Sequence, residues 1–569
     1  MGHPSDCCGS YPHRRTRWGG TVMSSDSIIN TAIAAPTRRR IPLNAKRLAV
    51  GAVVGASTLL VLGGTAIAQT VDALVEEPVA DLETVAKTAD HAIQSGNLLW
   101  IVIGAAMVIF MQAGFALVET GFCRAKHAAH VVSTNLAVFF LGFVGFFLVG
   151  WSFMFGGYSY VLPGFDYGLN QAAGGALIGS GDWVFLWQGG WAGTWFDGGN
   201  LAYSGAAAAF FLYMVAFMDT TATIPTGSMA ERWKFKSFVI WGLFCGAIYY
   251  PLFGAWTWGG GWLAKLGNSL NWGNGYVDFA GSGVVHAAGG VAALAGAIVL
   301  GPRIGKFGKD GKPRALPGHH IPMALLGTFI LLFGWFGFNA ASTFASSDPQ
   351  IGVVAVNTAL AGAFGGFISM LWIWKRTGKP DPAMMANGML AGLVIITAPC
   401  AFVDPWVAAL LGLFAGVVVI EAVFFIERKL KIDDPVGAIA VHGVCGTLGV
   451  IAVGLLANGK YGVDAGGAGI GWNGTTTSLT DGVADGVTGL FYGGNGAGQL
   501  MAQLAGVVVL WTLILGVAFA FFKIQNALTK GGIRSDEAEE IAGLDMAEMG
   551  VFAYPEFSGT HEGLVSSDA

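Results

Sequence analysis

The stretch that decides the fold is Asp278–Gly290, "DFAGSGVVHAAGG", followed by the apolar and glycine run "VAALAGAIVLG". His286 therefore falls inside a segment that reads as a membrane-spanning helix. An ionisable side chain in hydrocarbon is costly and rare, and is a functional candidate by default. The whole chain fits that setting. Its 569 residues are 54% hydrophobic and 11% charged, with 88 glycines, and its mean hydropathy is +0.60; a soluble globular chain carries about 25% charged residues. Glycine lets helix backbones approach closely in lipid, so the composition predicts a polytopic, all-α membrane protein. The net charge of −5 decides little. The six cysteines give no disulfide framework: Cys7 and Cys8 lie in the leader, and Cys123, Cys245, Cys400 and Cys445 lie in or near apolar segments, where a free thiol behaves as a small hydrophobe. No CxxC or His-rich metal spacing occurs, and neither a cofactor nor a nucleic-acid partner is expected.

Near the N-terminus, "TRRRIPLNAKR" precedes "LAVGAVVGASTLLVLGGTAIAQT". A basic region, an apolar region and the small-residue site "AIA" read as a secretory signal peptide cleaved after Ala68. A retained anchor is the alternative, and Met23 is an alternative start. Eleven apolar runs of helix-spanning length follow, near 97–121, 132–156, 201–225, 237–258, 279–301, 321–342, 351–374, 386–403, 405–427, 435–457 and 500–522. The eighth and ninth are divided only by "FVDPW". Alternate loops carry the basic residues, among them Arg124, Arg232, Arg303, Arg376 and Arg428, whereas 157–200 has no Lys or Arg. The basic side is the cytoplasmic one. The expected organisation is a leader 1–68, an extracellular segment 69–96, a transmembrane domain 97–525 and a cytoplasmic tail 526–569, with the N-terminus outside.

The histidine motif occurs twice. Asp278–Gly290 and "DPVGAIAVHGVCG", Asp434–Gly446, both read D-x-x-G-x-x-x-V-H-x-x-x-G. The copies fall in the fifth and tenth spans, so the two helices run in opposite directions. That is the signature of an inverted repeat, about 97–301 and 321–457, whose site lies near the midplane at the repeat interface, with an eleventh helix added at about 500–522. Each His follows its Asp by eight residues, about 12 Å at 1.5 Å per residue, so both imidazoles are expected near mid-membrane. A lone buried His is usually a packing residue; two at matched positions point to function. Such a pair can pass a proton or solvate a small polar molecule without holding permanent charge. Asp278 and Asp434 are expected mainly to cap their helices, Asp434 with Pro435 at the first helical position, and direct ligand binding is the lesser alternative.

Three aromatic clusters approach the outer half. Tyr213 and Phe217 are i and i+4 in "FLYMVAF"; Phe338 and Ser342 are i and i+4 in "GWFGFNAAST", with Trp335 one turn back; Trp258 ends the fourth span in "GAWTWGGGW". Aromatic faces attract cations, and a Ser hydroxyl accepts a hydrogen bond, so together they suit a small hydrogen-bonding cation. Each cluster alone fits an interfacial aromatic belt or plain packing equally well.

On these motifs, and on "GSMAER" and the tail "GLDMAEMGVFAY", the chain from roughly Asn97 to Tyr554 closely resembles the ammonium transporter (Amt/Mep/Rh) family, nearer to the Amt branch. The resemblance implies eleven helices per subunit, a homotrimer with one pore per subunit, and a tail that can contribute to control by a PII-type signal protein. It assigns Trp258, Phe217, Tyr213 and Ser342 to an outer ammonium recruitment site, Phe217 and Phe338 to an aromatic gate, and His286 and His442 to a twin-histidine pore. Trp335 would shape the pore, and Asp278 would support the outer site. Two positions depart from the family pattern: Tyr213 stands where many members have Phe, and Met549 where the tail usually has His, so the regulatory contact is not carried over there.

The expected function is ammonium uptake across the cytoplasmic membrane: recruitment of NH4+, deprotonation, and passage of NH3 along the His pair. A bare cation would meet a large desolvation barrier, and K+ has no proton to shed. A neutral NH3 channel or an ammonium sensor is the alternative. A two-His metalloenzyme lacks the third ligand that catalytic zinc normally has, and a purely structural scaffold would be indifferent to loss of both histidines.

Overall fold

The computed structural model of the chain describes residues 82–157, 162, 174–197, 199–459, 479–480, 483–484 and 486–557. The expected signal peptide, its cleavage after Ala68 and the residues after 557 lie outside the described residues, as do Cys7 and Cys8. The chain divides between Val85 and Ala86; apart from residues 82–85, all that follows concerns the residues from Ala86 onward.

Among the described residues, eleven principal helices follow in order: α1 Leu82–Phe122; α2 Ala125–Phe155, α3 Leu201–Met229, α4 Phe235–Trp256, α5 Ser282–Leu300, α6 Ile321–Thr343 and α7 Gln350–Thr377; α8 Pro382–Ile396; α9 Pro405–Leu430, α10 Ile439–Leu456 and α11 Gly496–Leu528. Among the described residues, ten are long and apolar enough to cross a membrane, and α8, at 15 residues, is a shorter apolar helix. Helix α1 begins at Leu82, ahead of the expected 97, because "LETVAKTADHAIQSGN" is rich in helix formers although its first turns are exposed.

The soft boundary between the eighth and ninth runs has a physical cause. The chain leaves helical geometry after Ile396, and its backbone groups are taken up by neighbouring elements. Phe279 and Ala280 donate to the carbonyls of Ala398 and Thr397. The Ser282 hydroxyl donates to Val394 O and accepts from Ala398 N–H, both at 2.7 Å. The Asn357 amide of α7 donates to Cys400 and Val403 carbonyls, each at 2.8 Å. Helix α9 then restarts at Asp404-Pro405.

Within 157–200, two strands, β1 Gly174–Ser180 and β2 Trp183–Gly189, form an antiparallel hairpin. It closes over the end of α4: Trp256 Nε1 donates to Phe185 O at 2.8 Å, and Trp262 N–H to Val184 O at 3.1 Å. The four described cysteines are buried free thiols.

The loops after α1, α3, α5 and α9 converge with the tail at one end, where buried charges tie them together. Arg303 donates to both oxygens of Asp433, at 2.9 and 3.1 Å, and lies 3.1 Å from Glu231. Arg124 reaches Glu231 at 2.6 Å through Nε, and Arg232 donates to the Asp433 carbonyl at 2.9 Å. Burial alone would raise the Asp433 carboxyl; Arg232 and Arg303 overcome it and hold it below the usual carboxylate range. Tail residues join the same cluster. Asp545 accepts from His130 N–H at 3.0 Å, Glu540 from Ile304 N–H at 2.7 Å, and Ser535 N–H donates to Arg232 O at 3.0 Å. Tyr554 meets His319 Nε2 at 2.8 Å.

Removing one member leaves its partners charged and buried, so Arg303→Ala is expected to cost about 3–5 kcal/mol of stability, read as a lowered thermal midpoint of the detergent-solubilised protein. A depressed carboxyl stabilises fully above its unfolded pKa and loses that contribution as pH falls through the folded one. Thermal midpoints of wild type and Asp433→Asn should therefore differ at neutral pH and converge on acidification; a constant gap would contradict the assignment.

Candidate functional site

The two histidine-bearing helices begin alike. The carboxylate of Asp278 accepts from the backbone N–H of Gly281, Gly283 and Val284 at 2.9, 2.8 and 2.8 Å. That of Asp434 accepts from Ala438 and Ile439 at 3.0 and 2.8 Å. The matched Gly281 and Gly437 turn the chain with φ of 112° and 83°, a region that glycine enters without steric cost. Burial nonetheless raises both carboxyls to about 6, against these N–H donors. One detail corrects the expectation: Pro435 is not at the first helical position, because Asp434-Pro435-Val436-Gly437 is a turn and α10 starts at Ile439. The Asp caps from outside the helix in both copies.

The histidines also sit earlier than expected, in the first turn of each helix rather than two turns in. That turn is wide, of π type, over Ser282–Ala287 and Ile439–Val444, as are five other helical segments among the described residues. A methyl built on Gly290 would lie 2.2 Å from Gly443 N. Glycine at 290 is thus what lets α5 and α10 come close enough for their side chains to meet. Nδ1 of His286 and Nδ1 of His442 are 3.2 Å apart. In the neutral pair one Nδ1 carries the hydrogen and the other accepts it. His286 is fully buried and His442 6% exposed, and Nε2 of His286 takes no hydrogen bond among the described residues.

A column of rings continues from the pair. His286 stacks on Trp335 at 5.1 Å and on Phe338 at 5.3 Å between centroids. Phe338 stacks on Phe217 at 4.1 Å and 24°, a contact that leaves no gap between the rings. Beyond Phe217 lie Tyr213 at 4.7 Å and Trp258 at 5.6 Å. Trp335 Nε1 donates to Thr397 Oγ1 at 2.9 Å, which fixes the indole against His286, and Trp258 Nε1 donates to the Asp278 carbonyl at 2.7 Å. Asp278 thus ties Trp258 to the start of the histidine helix. The structure brings Tyr213, Phe217, Trp258, Phe338, Ser342, Trp335, His286 and His442 into one continuous line, with Asp278 and Asp434 at the two helix starts.

The Ser342 hydroxyl is already engaged. It donates to Phe338 O at 2.7 Å and lies 3.0 Å from the Tyr213 hydroxyl, which also reaches Gly337 O at 2.9 Å. The extra oxygen of Tyr213 thus lies beside the serine oxygen that was expected to face a cation.

Beyond His442 is a cavity of about 20 Å³ lined by Phe115, Glu119, Leu331, Val441 and His442. It shares Asn387 and Val436 with a wider pocket of about 300 Å³ that reaches Lys306, Glu427 and Asp434 at the charged end. Phe115, Glu119 and Thr397 were not singled out from the sequence. Glu119 carried a signal, an acid inside the apolar run "MQAGFALVETGF", whereas Thr397 and Phe115 are ordinary in context and only their contacts reveal them. Among the described residues, no group of three or more His, Cys, Asp or Glu side chains is placed to hold a metal.

A sequence model of the Ammonium Transporter Family matches residues 99–554. The chain is 42% identical to ammonium transporter Amt2 of Archaeoglobus fulgidus over 465 residues, 81% of this chain and 88% of that one. It is 36% identical to ammonium transporter Amt1 of Haloferax mediterranei over 483 residues, 82% and 80% of the two chains. Among solved structures, a chain titled Sensor Amt Protein aligns with TM-score 0.66 and 34% identity over 80% of this chain and 99% of its own. Mep2 of Candida albicans aligns with TM-score 0.64 and 28% identity, covering 82% and 92%.

Gly290→Ala forces α5 and α10 apart. The expected cost is about 1–3 kcal/mol, as for an overpacked core, read as a lower thermal midpoint. A crystal structure of the variant should show the Nδ1–Nδ1 distance beyond hydrogen-bond range.

Proposed function

The chain belongs to the ammonium transporter family, and we propose that it takes up ammonium across the cytoplasmic membrane by recruiting NH4+, removing its proton and passing NH3 along the imidazole pair. The observation that carries this reading is the 3.2 Å contact between His286 and His442 at the end of an unbroken line of rings. In this reading α8 is an eighth span completed by the unwound segment after Ile396. The two motif copies then belong to inverted five-helix repeats, with α11 as the eleventh span. The loops carrying Arg124, Arg232 and Arg303 face the cytoplasm, by the positive-inside rule, so Trp258 and Tyr213 lie toward the outside.

NH4+ is attracted to the faces of Trp258, Phe217 and Tyr213, a contribution of about 0.5–2 kcal/mol. It cannot go further intact, since an unpaired cation in a dry apolar passage costs tens of kcal/mol by solvation alone. Phe217 and Phe338 close the way until their rings part. Once the proton is lost, NH3 can exchange hydrogen bonds with the imidazoles, and the pair, sharing one hydrogen between two nitrogens, can relay the proton through the same contact. K+ meets the same barrier without that escape. Family resemblance further supports a homotrimer in membrane lipid; a PII-type partner would meet a tail whose position 549 is Met.

A second reading, in which bound ammonium is reported through the tail, is favoured by the docking of residues 534–554 against the loop ends. Full-length protein in liposomes separates the two. Transport predicts an ammonium-driven current that K+ does not elicit and that His286→Ala abolishes. Equal K+ current would refute the selectivity scheme, and saturable ammonium binding without flux would favour the sensor.

Tyr213→Phe releases the Ser342 oxygen from its tyrosine partner. One hydrogen bond is worth about 0.5–1.5 kcal/mol, so the half-saturating ammonium concentration of that current should fall about two- to tenfold. An unchanged or raised value would mean that Ser342 does not receive the substrate.

A further inference from the structure

Glu119 has no part in the passage derived so far. It lies on α1, 3% exposed, beside the buried Thr120 in a largely apolar run. Its carboxylate accepts from Asn135 Nδ2 at 2.7 Å, and the Thr226 hydroxyl lies 2.8 Å from both its oxygens. Asn135 in turn is held by Gln112 and Thr223. This network locks α1, α2 and α3 together, which is the purely structural account. It does not explain why a carboxylate, the costliest group to bury, was used where a neutral amide would complete the same bonds.

Its position supplies a reason. Glu119 and His442 line the same cavity of about 20 Å³, enough for a single water-sized molecule, since one needs about 10–15 Å³. Ammonia is of that size. The cavity adjoins the wider pocket that leads to the charged end. Resting on the transport reading above, we propose that Glu119 is the group that returns the proton to ammonia once it has passed the histidine pair. A proton relayed through His286 and His442 neutralises the Glu119 carboxylate. NH3 arriving in the cavity takes that proton, an N–H bond forming as the carboxyl O–H breaks, and leaves as NH4+ toward the wider pocket. The carboxylate is left ready for the next proton. Atoms and charge balance with no other reactant, and the cation is re-formed beside a negative group instead of in apolar surroundings.

The test is Glu119→Gln in the full chain, reconstituted in liposomes with current and internal pH recorded together beside wild type. Glutamine keeps the shape and can complete the bonds to Asn135 and Thr226. The ammonium-driven current should fall about a hundredfold, the lower end of what a positioned proton donor contributes, while passage of uncharged NH3 now alkalinises the interior faster than in protein-free liposomes and the thermal midpoint stays at the wild-type value. Wild-type current in the variant overturns the inference and leaves the transport reading standing. Loss of current and alkalinisation together, in a folded variant, overturns it in favour of the structural account. No ammonium-driven current in wild type removes both readings. If Glu119→Gln fails to fold, infrared difference spectra of wild type, ammonium against K+, decide. A carboxylic acid carbonyl band that shifts in Glu119→Asp supports the proposal, and no such band overturns it.

Discussion

The site depends on one close approach, that of α5 to α10 at Gly290 and Gly443. Two imidazoles can share a hydrogen only if their helices nearly touch, and two helices nearly touch only where side chains are absent. The Asp caps, the positive-φ glycines and the widened first turns serve the same geometry. They start each helix abruptly, so that a histidine is presented close to its first turn, whose backbone bonds run back to the capping glycines, His286 N–H to Gly281 O and Val441 N–H to Gly437 O. The line of rings is held by polar contacts at its edges, Trp335 to Thr397 and Trp258 to the Asp278 carbonyl, leaving the ring faces free of polar atoms.

Much of this was legible in the sequence. Apolar runs of spanning length gave the helices, because a segment in lipid must bond its own backbone. The doubled D-x-x-G-x-x-x-V-H-x-x-x-G spacing pointed to the histidine pair. Three things were not legible. The first was where α5 and α10 begin, because Pro435 looks like a helix start and its turn is set by Gly437 and the Asp434 carboxylate. The second was the short α8, whose last apolar residues leave the helix because neighbouring amides and Ser282 offer their backbone alternative partners. The third was the engagement of Ser342 by Tyr213, a contact across helices that no spacing along one helix reveals.

The charged end shows a different economy from the apolar middle. Arg124, Glu231, Arg232, Arg303 and Asp433 come from loops far apart in sequence, and the tail docks beside them, Ser535 N–H on the Arg232 carbonyl, Glu540 on Ile304 N–H and Asp545 on His130 N–H. Apolar helix faces slide past one another with little penalty in lipid, where no hydrophobic effect drives association. Directional ion pairs with fixed geometry restore register at one end of the bundle.

The stacked pair Phe217 and Phe338, 4.1 Å apart, carries a last consequence. In the transport reading proposed above, a passage plugged by two touching rings behaves as a turnstile and not as an open tube. Its throughput follows the frequency of ring swings, which are thermally activated, so the flow should steepen sharply with warming and stay nearly indifferent to the viscosity of the water on either side.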